Sequence, residues 1–351
     1  MTDSLSKKIE QIAKEEFGFA QVGILPLEPT ETFGEYANWL ERDYHGEMDW
    51  MHSEGRKEKR ENVKNIMPSA KTIVTLAYSY YTADIPEAVL NDPSRGIFAK
   101  YAWGRDYHKI LKKKLLLLIN RIEEVVGQDV DAKAYVDTGP ILERALAKRA
   151  GLGFVGKNSM IINSALGSYF FLSEIILDLE CEPLVQNNAR GGCRACTKCI
   201  DTCPTKAIVE PFVIDARKCI SYLTIENRSS IPEAIRPLMK NRIYGCDICQ
   251  EVCPWNSTAK SKSHSSDWLE ADIEKQAPLL TDLALLDEQA FLERFQGTPI
   301  MRVKRVGLLR NVAIALGNWG DDKAIPSLEL LAADENGLIA EHARWAMDQI
   351  H

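Results

Sequence analysis

Cys193-Arg-Ala-Cys196-Thr-Lys-Cys199-Ile-Asp-Thr-Cys203-Pro204 is the stretch whose reading decides how this chain is built. Three cysteines in immediate x2 succession, closed by an x3 step and Cys-Pro, have the spacing in which three thiolates grip one 4Fe-4S cube and the fourth reaches a second cluster. A partial copy follows at Cys246-x2-Cys249-x3-Cys253-Pro254, with Cys219 as the spare thiol between the two runs. Crossing the fourth ligands gives two complete sets: Cys193, Cys196, Cys199 and Cys253 for one cube, and Cys203, Cys219, Cys246 and Cys249 for the other. Zinc is the alternative, because C-x2-C pairs also close tetrahedral sites, but zinc modules separate their two pairs by a dozen or more residues. Cys181, in LDLECEPL, reads as a small buried hydrophobe.

All nine cysteines lie between Cys181 and Cys253 in a chain of 351 residues. A disulfide framework would spread through a small secreted chain, so this clustering points to metal. The N-terminus MTDSLSKKIEQIAKEEF has no apolar core of a signal peptide, and the apolar run Leu115 to Ile119 is far short of the ~18 residues a membrane helix needs. These features predict a cytoplasmic protein, with monomer as the default state. The formal charge of -7 argues against wholesale nucleic-acid binding while leaving room for a local basic patch.

Working outward from the cysteines, residues 1–180 read as an α/β (α+β) domain. Leu5, Ile9, Ile12, Ala13 and Phe17 recur at helical spacing, and the strand GFAQVGIL follows. KTIVTLAYSYY (Lys71 to Tyr81) is β-branched and aromatic, which predicts a buried strand. Then come a helix over Tyr107 to Val126, a strand over Ala132 to Val136, a helix over Ile141 to Ala150, and strands near Met160 to Asn163 and Tyr169 to Leu177. Residues 181–260 form a ferredoxin-like module with little regular structure. Residues 261–351 begin in the polar linker STAKSKSHSSDW and continue as amphipathic helices. There Arg310-Asn-Val-Ala-Ile-Ala-Leu aligns roughly with Glu341-His-Ala-Arg-Trp-Ala-Met about thirty residues later, a period that suggests all-α HEAT-like hairpin repeats.

Gly151-Leu-Gly-Phe-Val-Gly156-Lys157-Asn158 contains G-x-G-x-x-G and misses the Walker motif by one residue. A phosphate loop must leave a strand and enter a helix. Here a helix precedes and a strand follows, so Gly151 reads as a helix C-cap. Upstream, Tyr135-Val-Asp137-Thr-Gly-Pro140 ends a strand in a carboxylate at a turn. Asp137 suits either an N-cap or Asx-turn or a general acid beside a redox centre.

YVDTGPILERALAKRAGLGFVGKNSMIIN, the cysteine runs, CISYLTIENRSSIPEAIRPLMKNRIYGCDICQEVCPWN, GEMDWM (Gly46 to Met51) and KYAWGRDYH (Lys100 to His108) together resemble the epoxyqueuosine reductase family. The resemblance covers most of the chain, though the helical tail is short. It implies a cobalamin-binding catalytic domain, with the cofactor's nucleotide base displaced from cobalt, beside two 4Fe-4S clusters that pass single electrons to it from an external low-potential donor. It also implies a reaction, the reduction of epoxyqueuosine to queuosine in the anticodon loop of tRNA, with cob(I)alamin as nucleophile on the epoxide and Asp137 as proton donor. Arg60, Tyr101, Asp137, Lys157, Asn158 and Ser159 match cofactor or pocket positions. An acid at Asp137 would need its protonated form maintained near neutral pH by an apolar site. Arg302, Lys304, Arg305 and Arg310 would form a stripe for tRNA phosphates; a solvated helix face is the bland reading. The rival classes are a corrinoid reductive dehalogenase, which usually carries an export signal, and a simple electron carrier, for which the N-terminal domain is too long.

Overall fold

The structure is a computed structural model that describes residues 4–187, 191–259, 268–269 and 272–350. Its centre is a four-stranded sheet of β1 (Gln21–Pro26), β2 (Thr72–Ser79), β3 (Ala132–Tyr135) and β4 (Phe170–Leu177). The strand order is β1-β2-β4-β3 and every neighbouring pair is antiparallel. The alternation of helix and strand in the sequence therefore resolves as an α+β sheet.

Both faces of this sheet are covered. Val74, Leu76, Phe171 and Ile175 face α1 (Leu5–Glu15) and α2 (Tyr107–Val126). Ile73, Ala77 and Ile176 face Leu146, Ala147 and Ala150 at α3 (Glu143–Arg149). Within α2 the 3.6-residue period decides which leucines enter the core. Leu111, Leu115 and Leu118 are buried, while Leu116 and Leu117 of the same apolar run face solvent. Asp106 caps this helix by accepting from the His108 N–H, and Gly127 ends it in the left-handed region at φ 72.

The cysteine segment folds onto this domain. Its short helices α4 (Lys198–Thr202) and α5 (Ile248–Glu251) carry Cys199 and Cys249 in their first turns. Arg242–Tyr244 pairs in parallel with Ile97–Phe98. The tail supplies α6 (Lys304–Trp319), α7 (Ile325–Ala332) and α8 (Gly337–Asp348). The two stretches that align in the sequence, 310–316 and 341–347, fall on α6 and α8. A buried apolar cluster runs from Ile9 through Tyr244 and Trp268 to Ala346, packing the sheet domain against the helical tail.

Most of the expected linker lies outside the described residues. Of its ends, Ser257 to Ala259 belong to the helix Pro254–Ala259, and Trp268 is buried against Tyr78 and Phe171 rather than exposed.

At Gly317 α6 and α8 are in close contact: a Cβ there would lie 2.7 Å from the Cα of Ala346. Gly317→Val should cost about 1–3 kcal/mol through overpacking, read as a lowered midpoint in chemical denaturation. An unchanged midpoint would mean that this contact does not hold the tail together.

Candidate active site

Strand β3 delivers Asp137 two residues past its end, in a left-handed backbone conformation with φ 58. Such a φ is uncommon outside glycine, and Asp tolerates it better than most residues. The Asp137 Oδ2 accepts from the Tyr107 hydroxyl at 2.9 Å and lies 3.2 Å from His108 Nε2. The other ring nitrogen, Nδ1, is 2.8 Å from Asp106 Oδ1. An imidazole between two carboxylates donates from both nitrogens only when charged. Desolvation acts against that charge, but the bonds to Asp106 and Asp137 outweigh it and push His108 up to about 9. Tyr107 is fixed in turn by stacking on Phe171, with ring centroids 4.0 Å apart.

The same pairing corrects one expectation. Desolvation raises the Asp137 carboxyl, yet the His108 hydrogen bond and charge, with the Tyr107 hydroxyl, hold it below the usual carboxylate range. Asp137 is therefore an anion at neutral pH, and the proton of the pair resides on His108. The Asp137 side chain keeps 59% of its surface accessible although protein crowds round it, the signature of a group on the floor of a concavity. Arg144 combines the same features, being solvent-accessible while its surroundings lower its basicity.

Behind Asp137 stand two acids. The Asp137 N–H donates to Glu143 Oε1 at 2.8 Å from the first turn of α3. Glu174 is wholly buried in β4, opposite Thr75 on one side and Tyr135 on the other, and neither carboxyl oxygen makes a hydrogen bond of normal geometry. Burial, followed by repulsion from Asp137, pushes Glu143 up to about 8. Burial and then Glu143 push Glu174 well above the carboxylate range. Sequence reading missed His108, Glu143 and Glu174, although Glu174 left a signal as the only charge in the apolar run FFLSEIIL.

Arg60 is 3% exposed, with its guanidinium over Tyr36 at 5.4 Å and Trp50 at 5.8 Å. Its Nη1 has no hydrogen-bond partner, and burial lowers its basicity, with Glu143 among the charges acting on it. Tyr101 packs against Tyr107 and Tyr244 at 6.0 and 6.1 Å. Gly151 ends α3 with φ 70, its N–H bonding Lys148 O and that of Leu152 bonding Ala147 O, which is the Schellman arrangement. The loop it opens runs to the cysteines. The Lys157 N–H donates to Cys193 Sγ at 3.3 Å, and its Nζ binds Arg194 O at 2.8 Å. Buried Asn158 donates to Cys249 O at 3.3 Å, and the Ser159 hydroxyl binds Phe212 O at 2.7 Å.

Cys193, Cys196, Cys199 and Cys253 line one cavity of about 50 Å³, together with Asn158 and Trp255. Cys203, Cys219, Cys246 and Cys249 form a neighbouring chain of thiols, each affecting the ionisation of the next. Among the described residues no three His, Cys, Asp or Glu side chains converge on a single-ion position.

The four cations of the expected stripe have different fates. Arg302 is half exposed, forms a bidentate pair with Glu226 at 2.9 and 2.7 Å, and acts electrostatically on Asp137. Lys304 is exposed at the start of α6. Arg305 turns inward to Leu286 O and Asp334. Arg310 is a correction: it is 0% exposed, with its donors bound to the carbonyls of Leu223, Asn227 and Ser229, so it cannot meet phosphate. No helix among the described residues is long and apolar enough to cross a membrane.

The 4Fe-4S double cluster binding domain family matches residues 192–256. Together with the acid-lined α+β domain, it defines the class as an iron–sulfur oxidoreductase. The family described as Epoxyqueuosine reductase QueG, DUF1730, matches residues 60–138. The epoxyqueuosine reductase of Escherichia coli (strain K12) is 40% identical over 356 residues, covering 99% of this chain and 90% of its own length. That of Pseudomonas aeruginosa is 41% identical, over 95% of this chain and 91% of its own. A crystal structure of epoxyqueuosine reductase with a tRNA-Tyr epoxyqueuosine-modified stem loop matches at TM-score 0.88 and 34% identity, covering 99% of this chain and 90% of that one. The enzyme from Bacillus subtilis, solved with its catalytic aspartate loop swung out of the active site, matches at TM-score 0.86 and 33% identity over the same shares. This chain belongs to the epoxyqueuosine reductase family.

A pH dependence follows from the buried acids. Glu143 titrates at about 8 in the fold against an ordinary 4.5, so the native state holds a proton the unfolded chain has lost between these values. Stability is full below about pH 4 and falls as pH rises toward 8. Glu174→Gln should remove part of this slope. Melting midpoints recorded across pH 5 to 9 in both proteins check it, and parallel curves would refute the assignment.

Proposed function

We propose that this chain reduces epoxyqueuosine to queuosine in the anticodon loop of tRNA, with cobalamin in the concavity above Asp137. Two 4Fe-4S clusters would be held by Cys193, Cys196, Cys199, Cys253 and by Cys203, Cys219, Cys246, Cys249. The observation that carries this reading is the accessible Asp137, bonded to Tyr107 and His108, within a fold joined to a double cluster domain. The orphaned Nη1 of Arg60 supports the cofactor assignment, because a buried guanidinium N–H calls for an acceptor such as an amide oxygen of a corrin side chain. Arg60, Tyr101 and Ser159 would hold that group, while Lys157 and Asn158 separate it from the first cube. When bound, reduced cobalamin supplies a nucleophile for an epoxide carbon, and the clusters supply single electrons from an external low-potential donor.

The chain's own task is to manage protons. As the epoxide C–O bond opens, its oxygen takes a proton from Asp137, which draws it from His108 Nε2. Charging His108 beforehand keeps that proton available at neutral pH. Tyr107 holds the carboxylate in place, and Arg302 adds positive charge at the mouth. The target base lies in a single-stranded loop, so swinging it into the concavity costs little stacking. Arg302 and Lys304 are the accessible cations for its phosphates. The protein works as a monomer in the cytoplasm.

The primary test is anaerobic turnover of an epoxyqueuosine stem loop with reductant and cobalamin, followed by nucleoside mass analysis. Loss of one oxygen is expected, and unchanged substrate would end this reading. Asp137→Asn should lower turnover by at least about 10²-fold while iron content and stem-loop affinity stay as in the parent; full activity would remove Asp137 from the mechanism. Replacing Arg302 and Lys304 by Ala should weaken stem-loop binding and reduce its log-log salt slope by about 0.7 per charge. An unaltered slope would place the phosphates elsewhere.

A further inference from the structure

We infer that Glu143 and Glu174 form a proton-sharing carboxylic acid pair that recharges Asp137 for the second protonation of each turnover. The inference rests on the proposed epoxide reduction. A two-electron reduction that expels the epoxide oxygen as water takes up two protons, and the Asp137–His108 couple stores one. A second store must lie within reach, and it must be sheltered from solvent.

The geometry supplies one. Glu143 Oε1 already touches the Asp137 main chain through its N–H, and Glu174, on the sheet face toward α3, lies within side-chain reach of Glu143. Glu174 is 0% exposed, and neither of its oxygens makes a hydrogen bond of normal geometry, although the Thr75 hydroxyl across the sheet acts on it. Ionised carboxylates only accept, so two of them facing each other in the core are compatible only with a proton between them. Among the described residues no cation acts on Glu174 directly. The groups acting on the pair are Thr75 across the sheet, Asp137 at the strand end, Tyr107 from α2, Arg144 on α3 and Arg60 from the helix Glu54–Glu61. Arg302 and His108 reach it through Asp137.

The transfer balances in atoms and charge. In the first step the substrate oxygen takes the proton of the Asp137–His108 couple, leaving neutral imidazole beside a carboxylate. Without the imidazolium that carboxylate becomes more basic, and it takes the proton of Glu143 through one water. The pair is left with a single negative charge. Asp137 then protonates the departing hydroxyl, which leaves as water, and the pair and His108 each recover one proton from solvent. The two electrons come from the clusters.

Glu143→Gln separates proton supply from positioning, because its amide oxygen can still accept from the Asp137 N–H. Glu143→Gln and Glu174→Gln should each lower kcat by about 10²-fold, the lower range for a lost acid. KM for the stem loop should hold, the alkaline limb of the kcat profile should disappear, and a small weak acid in the buffer should restore part of the rate. Infrared spectroscopy of the protein without substrate should show a protonated-carboxyl band at neutral pH that is lost in Glu174→Gln. Parental kcat and pH profile in Glu143→Gln, or a band absent from the parent protein, would overturn the inference. A parent protein that shows the band yet leaves epoxyqueuosine untouched would instead sink the proposed function, and with it the recharging role.

Discussion

The antiparallel register of Thr72–Ser79 against Phe170–Leu177 is the constraint on which the rest of this molecule depends. It places residues 172, 174 and 176 toward α3, and 171 and 175 toward α1 and α2. A slip of one residue would turn Glu174 into the larger apolar core and Ile175 out of it. The same strand then sets β3 through the pairing of Tyr135 with Glu174. The acid behind the site and the acid in the site are thus fixed by one row of backbone hydrogen bonds. Preorganisation of this kind holds reacting groups in place more firmly than loop contacts can.

Buried charge is tolerated here in two different ways. Arg310 is satisfied by carbonyls: its fork binds Leu223, Asn227 and Ser229, so one side chain ties the segment after Cys219 to α6. Glu174 has no comparable set of partners, and its solution is to remain neutral. A guanidinium does not readily shed its proton, whereas a carboxyl group readily keeps one. That difference explains why the structural tie is an arginine and the group assigned to proton storage is a glutamate.

Much of this was legible in the sequence, and the limits are specific. The helix over Tyr107–Val126 and the strands around Thr72–Ser79 and Phe170–Leu177 follow from their periods, because local pattern alone decides them. Cysteine spacing exposed the cluster module. Strand direction was hidden, since it depends on how connections cross the sheet. Arg310 misled because four cations within ten residues look like a surface stripe. The neighbouring GLLRNVAIALG carried the opposite signal, an all-round apolar helix in which a lone cation must be paired internally. His108 lay inside a quoted motif, yet its charge arises from Asp106 and Asp137, and the contact with Asp137 spans 29 positions. No periodicity reports such a contact.

In the proposed reaction electrons and protons reach one place from different sides, and the loop after Gly151 touches both the thiols and the helix that carries Glu143. The guanidinium of Arg144 on α3 binds the Ser159 carbonyl, anchoring the loop to the helix that carries Glu143. In the same turn the N–H of Lys157 meets Cys193, and Asn158 meets the carbonyl of Cys249, so it touches both thiol sets. Hydrogen bonds to cluster sulfurs tune reduction potential. A displacement of this turn would therefore alter the electron path and the seat of the acids together. The glycines serve this purpose: Gly151 closes the helix at a positive φ, and a Cβ at Gly156 would lie 2.5 Å from Ile162 and 2.6 Å from Asn158. A sequence that half satisfies two phosphate-loop motifs owes its glycines to a tight strut between a helix and a cysteine cage.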